Sequence, residues 1–98
     1  MEVRELQEKI LHHIESWEKY RGTHSNEQQT FNHIVEEIGE LAREYVNKDS
    51  RKEDFSEEKL ENAIGDSIMQ LIKLAKLRGL DAEDIITKIL REDAPPNR

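Results

Sequence analysis

The segment from residue 57 to residue 78 carries apolar residues around more than half of a helical circumference. They are spaced three and four residues apart and comprise Leu60, Ala63, Ile64, Ile68, Leu71, Ile72, Leu74 and Ala75. A helix that packs against one neighbour needs only one apolar face. We therefore predict that this helix is central and buried on two sides.

Three other segments also have the spacing of an amphipathic helix. The first has apolar residues at Val3, Leu6, Ile10, Ile14 and Trp17; the second at Phe31, Ile34, Ile38, Leu41 and Tyr45; the last at Ile85, Ile86, Ile89 and Leu90. No alternating strand pattern of useful length occurs. The sequence thus predicts an all-α fold with four helices.

Capping residues and helix breakers place the ends of these helices. Ser25 with Gln28 three residues later predicts a capping box, and Ser56 and Asp81 are expected to cap the third and fourth helices. The polar stretch from Asn47 to Phe55 predicts a loop. Gly22, Gly79 and the pair Pro95 and Pro96 are expected to follow helix ends.

The length of 98 residues predicts a single domain, residues 1–98, with a first helix and turn over 1–24 and a frayed tail over 94–98. A chain this short buries only a modest core. We expect a four-helix bundle that is completed by association into a homodimer or homotetramer through the wide apolar surface of the third helix.

Charge and cysteine content exclude several classes of function. The formal net charge of −7 argues against a nucleic-acid polymer as partner, and the absence of cysteine excludes disulfides, thiolate metal sites and thiol nucleophiles. No apolar run approaches the length of a membrane span. These features predict a soluble, cytoplasmic protein without a membrane partner.

The second helix carries a group of acids beside its apolar positions. Glu37 and Glu40 fall on the margin of the expected buried face, on one stripe with His33, whereas Glu36 points away. Such a group alone is typical of a solvated acidic surface. The third helix, however, carries Asp66 on its narrow polar stripe, and an acid in such a helix needs a partner.

If these two helices pack antiparallel, Glu37, Glu40 and Asp66 can converge into an oxygen-rich pocket. Carboxylate oxygens are the ligands that Mg²⁺ and Mn²⁺ prefer. Such ions could bridge the oxygens of a triphosphate and activate a water for its hydrolysis. The pattern therefore favours a metal-dependent site acting on a phosphate ester or anhydride.

The string VEEIGELA, a gap of about twenty residues and then AIGDSIMQLIKLA resemble the MazG-like all-α NTP pyrophosphatases over about residues 31–91. The resemblance implies Mg²⁺-dependent hydrolysis of an NTP or dNTP to its monophosphate and pyrophosphate. It also implies metal ligation by Glu37, Glu40 and Asp66, with Glu36 and Glu37 as catalytic carboxylates that position or activate water.

One departure from the family pattern lies on the third helix. The first acid of the family's ExxD pair aligns with Ala63, which removes an expected metal ligand; Asn62, one turn before Asp66, could supply an oxygen instead. The resemblance further implies phosphate contacts by a basic set. Its candidates here are Lys73, Lys88 and Arg91.

Trp17 and His33 are candidates for contact with the nucleotide base, although a lone tryptophan at helical spacing is also typical of a core residue. Two alternatives to this function stay open. One is an enzyme similar to the phosphoribosyl-ATP pyrophosphatases, which use similar acidic helices on another nucleotide. The other is a non-catalytic helical interaction module that has lost a metal ligand at Ala63.

Overall fold

A computed structural model describes residues 2–93 and 95–96 of the chain. These residues form four α-helices and no strand; a short 3₁₀ turn, Lys52–Asp54, joins the second helix to the third. The helices are α1 (Val3–Arg21), α2 (Glu27–Ser50), α3 (Glu57–Leu77) and α4 (Ala82–Glu92). The predicted all-α class is confirmed. Most of the tail predicted to be frayed, including Ala94, Asn97 and Arg98, lies outside the described residues.

Several of the predicted helix ends are observed. Gly22 and Gly79 follow α1 and α3 with φ angles of 68° and 73°, a conformation that favours glycine. The Ser56 hydroxyl accepts a hydrogen bond from the backbone N–H of Lys59 (3.1 Å) at the start of α3. The carboxylate of Asp81 likewise caps α4.

The capping box of α2 lies one residue later than the sequence pattern predicted. Asn26, not Ser25, is the capping residue: its side chain accepts from the Gln29 backbone N–H (2.8 Å), and the Gln29 side chain accepts from the Asn26 backbone N–H (3.0 Å). The backbone N–H of Ser25 instead donates to the carboxylate of Glu18 (2.7 Å). That contact from α1 fixes Ser25 outside the helix, and asparagine is an equally good cap.

The predicted loop from Asn47 is also too long, because α2 continues to Ser50. Asn47 is buried, and its amide donates to the carbonyl of Asp54 across the turn (3.4 Å). The Ser50 hydroxyl donates to the carbonyl of Val46 (3.0 Å). The last turn of α2 therefore holds polar residues that have local hydrogen bonds and need no apolar contact.

The helices α2 and α3 form an antiparallel hairpin, which is the main packing contact of the chain. At one end the Arg78 guanidinium lies 3.2 Å from the carboxylate of Glu27, near the start of α2. At the other end the Glu44 carboxylate accepts the backbone N–H of Ser56 (2.9 Å), just before α3. This arrangement brings the acids of the second helix alongside the polar stripe of the third.

The short helix α4 is held against α1 by polar contacts at its N-terminus. Arg4 forms ion pairs with Asp81 (2.9 Å) and with Glu83 (2.8 Å). The buried side chain of Gln7 donates to Asp81 (3.1 Å) and accepts from the Glu83 backbone N–H (3.0 Å). The position of α4 is therefore set by residues at the start of α1.

The apolar surface of α3 is only partly covered in the single chain. The buried apolar residues among those described are Ile14, Ile34, Leu60 and Ala63. Exposed apolar residues on α2 and α3 include Phe31, Val35, Ile38, Ile64, Ile68 and Leu71. One face of α3 is thus exposed in the single chain, and its burial on two sides, which association of chains was expected to complete, stays a prediction.

The overall dimensions agree with an open arrangement. The radius of gyration is 16.3 Å, whereas a compact domain of about 100 residues has about 13 Å. No helix in residues 2–93 is long and apolar enough to cross a lipid bilayer.

Candidate active site between α2 and α3

A cleft of about 420 Å³ lies along the α2–α3 hairpin, and we call it the acidic cleft. Its lining residues are Glu37, Glu40, Arg43, Glu44, Lys59, Asn62, Ala63 and Asp66. The antiparallel packing brings together the three acids that the sequence pattern predicted to converge. It also brings in the fourth acid, Glu44, whose carboxylate is buried against the backbone of Ser56.

The carboxyl group of Glu37 is perturbed by its surroundings in this cleft. Burial raises its pKa above the ordinary value, and the negative charges of Glu40 and Asp66 raise it further. His33 opposes this effect, since its Nε2 lies 3.3 Å from Glu37 Oε1. Glu37 is therefore close enough to Glu40 and to Asp66 to be repelled by both.

The chemistry of these side chains fits a hard divalent cation. All the acids offer oxygen ligands, and their mutual repulsion is of the kind that a bound cation relieves. Within the described part of the chain, however, no three His, Asp or Glu side chains lie close enough together to hold an ion. The acids thus face one cleft without forming a closed cage.

A second cleft of about 350 Å³ lies between α1 and the hairpin, and we call it the aromatic cleft. Its lining includes Trp17, Glu18, Arg21, His33, Gln70 and Lys73. Glu37 and Asp66 line both clefts. These two acids therefore stand where the two clefts meet.

Trp17 has a partly open indole ring in this aromatic cleft. It is 46% exposed, so within one chain it is not a core residue. The Arg21 guanidinium lies 5.0 Å from the centre of the indole ring, and Tyr20 contacts the ring edge-on. A flat aromatic surface with a neighbouring cation is suited to stacking on a nucleotide base.

Lys73, a predicted phosphate contact, already has a partner. Its ammonium lies 2.6 Å from the Glu18 carboxylate, and its side chain is only 8% exposed. Burial opposes ionisation of Glu18, but the hydrogen bonds from Lys73 and from Ser25 outweigh it, so the pKa of Glu18 is lowered. The charge of Lys73 is thus neutralised within the chain.

The remaining predicted site residues lie in different places. Asn62 lines the acidic cleft, beside Ala63. Glu36 is exposed on α2 and lines neither cleft. Lys88 and Arg91 are exposed on α4, and they too line neither cleft.

Several charged residues that line the clefts had no role predicted from the sequence, among them Glu18, Arg43 and Lys59. The signal for Glu18 was its place on the stripe of Gln7, Leu11 and Ile14, the side of α1 that is buried or half-buried. The signal for Lys59 was its position on the same polar stripe of α3 as Asp66. The signal for Arg43 was its position three residues after Glu40, which makes the two neighbours on one face of α2.

The fold and the two clefts define a class of protein: an all-α hairpin that carries an acidic cleft and an adjoining aromatic cleft. The family model of the MazG nucleotide pyrophosphohydrolase domain matches residues 25–92. The match covers most of the chain, so the protein belongs to this family. Its members act on phosphoric anhydrides and generally use divalent metal ions.

The match includes α2, α3 and α4 and leaves out α1, which supplies Trp17 and Glu18. Neither the curated proteins nor the solved structures contain a significant match to this chain.

Proposed function

We propose that the protein hydrolyses a nucleoside or deoxynucleoside triphosphate to the monophosphate and pyrophosphate in a Mg²⁺-dependent reaction, with Mn²⁺ as a substitute. The observation that carries this proposal is the position of Glu37 and Asp66, which line both clefts. A nucleotide that extends from the aromatic cleft into the acidic cleft would present its phosphates to these acids.

The residues proposed to hold the metal are Glu37, Glu40 and Asp66, with Asn62 as an additional oxygen ligand. When bound, the ion would neutralise charge on the phosphates and lower the pKa of an attacking water. Glu37 is the proposed catalytic carboxylate that orients this water; the same role is proposed for Glu36 on the family resemblance alone, because Glu36 lines neither cleft. The oxygen of the water would bond to the α-phosphorus and its proton would pass to the carboxylate, while the anhydride bond between the α- and β-phosphates breaks and pyrophosphate leaves.

At the other end, Trp17 would stack on the base, and His33 would contact it from α2. Both line the aromatic cleft. Lys73 could contact phosphate only after leaving Glu18. The phosphate contacts proposed for Lys88 and Arg91 rest on the family resemblance alone.

The proposed assembly is a homodimer or homotetramer. Its support is the exposed apolar surface of α2 and α3, which includes Phe31, Ile38, Ile68 and Leu71. An exposed surface of this kind on a small helical domain favours burial against another subunit.

A substrate panel tests the proposed reaction. NTPs, dNTPs and phosphoribosyl-ATP are incubated with the protein and Mg²⁺, and pyrophosphate and orthophosphate release are measured separately. Pyrophosphate release from at least one NTP or dNTP is expected. Hydrolysis of phosphoribosyl-ATP alone would favour the related enzyme class, and orthophosphate as the first product would contradict the mechanism.

The buried Ala63 keeps a non-catalytic interaction module as the second candidate, since the family places an acid there. Metal titration separates the two. The enzyme should gain thermal stability on addition of Mg²⁺ or Mn²⁺ because the ion binds only the folded state, whereas the module should show neither binding nor stabilisation.

A further inference from the structure

We propose that Arg43 and Lys59 form a subsite for the pyrophosphate portion of the nucleotide. This inference rests on the proposed function and deepens it, since it gives the substrate a direction along the hairpin. Neither residue is among the proposed metal ligands. Arg43 lies on α2, and Lys59 lies in the first turn of α3. Both line the acidic cleft.

Arg43 and Lys59 have no ion-pair partner in the described structure, although the cleft around them is rich in carboxylates. Four carboxylates line the acidic cleft together with Arg43 and Lys59. Nevertheless, no ion pair joins either cation to an acid within the described residues, although ion pairs form elsewhere in the chain. The two cations therefore remain available to an anion that enters the cleft.

The two ends of the polar stripe of α3 differ in the charge that they offer to a ligand. Lys59 lies seven residues before Asp66, and Lys73 lies seven residues after it, so each is two helical turns away. The ammonium of Lys73 is buried and neutralised by Glu18 (2.6 Å). Lys59 is exposed and unpaired in the described structure. Of these two lysines, only Lys59 therefore has an ammonium that is free to contact phosphate in the described structure.

The charges that line the acidic cleft do not cancel. Four carboxylates and two cations leave the acidic cleft with a formal excess of two negative charges, which is the charge that one Mg²⁺ ion neutralises. The α3 N-terminus adds positive partial charge near Lys59. The two cations could then contact the departing pyrophosphate directly.

The nucleotide would then lie with its base at Trp17, its α-phosphate near Glu37 and Asp66, and its terminal phosphates at Arg43 and Lys59. When the α–β anhydride bond breaks, the electron pair of that bond passes to the β-phosphate oxygen. The guanidinium and the ammonium would stabilise the charge that develops there.

Calorimetric titration with inorganic pyrophosphate tests the subsite without turnover. The titration is carried out on the full chain, both in Mg²⁺ and in excess chelator. Arg43→Gln and Lys59→Gln should each weaken pyrophosphate binding by about tenfold, the effect of losing one charge-assisted hydrogen bond. The double variant should bind about a hundredfold more weakly than the wild type.

Two further sets of variants make the test specific. Lys19→Gln, an exposed lysine of α1 that lines neither cleft, is the matched control and should bind like the wild type. Lys88→Gln and Arg91→Gln represent the rival assignment on α4. A loss of binding confined to those two, or wild-type binding by the Arg43 and Lys59 double variant, would overturn the subsite.

The outcome can be separated from that of the proposed function. Pyrophosphate binding that depends on Arg43 and Lys59, in a protein that hydrolyses no nucleotide, would support the subsite and refute the hydrolase. Hydrolysis with unaltered pyrophosphate binding in the double variant would support the hydrolase and refute the subsite. No pyrophosphate binding by the wild type, with or without Mg²⁺, would also refute it.

Discussion

Lys73 of α3 and Glu18 of α1 form a largely buried ion pair at the floor of the aromatic cleft, with 2.6 Å between Nζ and Oε2. The same Glu18 carboxylate accepts the backbone N–H of Ser25, just before α2. One carboxylate therefore connects three parts of the chain. It holds the helix that carries Trp17 against the hairpin that carries the acids.

Loss of the cation of this pair should destabilise the fold. Lys73→Met leaves the Glu18 carboxylate buried without its cation, and we expect the free energy of unfolding to fall by about 3 kcal/mol. Lys76→Met, at an exposed neighbouring position of α3, is the control and should change it little. Urea denaturation measures both, and equal effects in the two variants would contradict a structural role for the pair.

The same pair predicts a pH dependence of stability. Because the pKa of Glu18 is lowered in the folded state, its contribution is fully present above the ordinary value of 4.5 and is lost as the pH falls through the folded pKa. The stability difference between wild type and Glu18→Gln should therefore shrink below pH 4.5. Melting curves from neutral to acid pH measure it, and a constant difference would refute the assignment.

The contribution of Glu37 to stability should depend on pH in the opposite direction to that of Glu18. Its pKa is raised, so its contribution to stability is present below the ordinary value of 4.5 and is lost as the pH rises through the folded pKa. At neutral pH without metal, Glu37→Gln should raise the melting temperature. The variant should also lose turnover by about a hundredfold or more.

Two comparisons control this experiment. Glu61→Gln removes an exposed acid of α3 that lines neither cleft and should alter neither property. Addition of Mg²⁺ should stabilise the wild type but not Glu37→Gln. Near-wild-type activity of Glu37→Gln at limiting metal would show that the metal site is elsewhere.

The exposed apolar surface predicts the effect of a charge at Leu71. This side chain is 51% exposed, so Leu71→Asp should leave the helical content of the chain intact while dissociating the expected dimer or tetramer. Light scattering after gel filtration measures the assembly, and Leu71→Met is the apolar control. A wild-type protein that is a stable monomer at micromolar concentration would contradict the prediction.

Adjacent positions of α3 test the missing family acid. Ala63 is only 2% exposed, so Ala63→Glu should lower the free energy of unfolding by about 3 kcal/mol without tightening Mg²⁺ binding. Asn62 is exposed and lines the acidic cleft, so the Asn62→Glu variant should fold normally and bind Mg²⁺ more tightly. Calorimetric Mg²⁺ titration beside melting curves measures both variants; tighter binding by Ala63→Glu would show that position 63 can still supply a ligand.

The sequence by itself determined the elements of the fold. Helical spacing of apolar residues identified all four helices, and local chemistry placed the caps at Ser56 and Asp81 and the glycines that follow α1 and α3. These features depend on residues within one or two turns of each other. For that reason they can be predicted from the sequence without knowledge of the packing. The same local reasoning erred by one residue at Ser25, where a carboxylate from α1 intervenes.

Only the tertiary structure decided which of the charged residues are free and which are paired. Lys59 and Lys73 look equivalent in sequence, two turns on either side of Asp66, yet Glu18 neutralises one of them and leaves the other exposed. Tertiary packing likewise placed Arg43 in the acidic cleft and left one face of α3 uncovered. The physical reason is that burial and electrostatic pairing depend on distances between helices, and helical periodicity specifies only the face on which each residue lies.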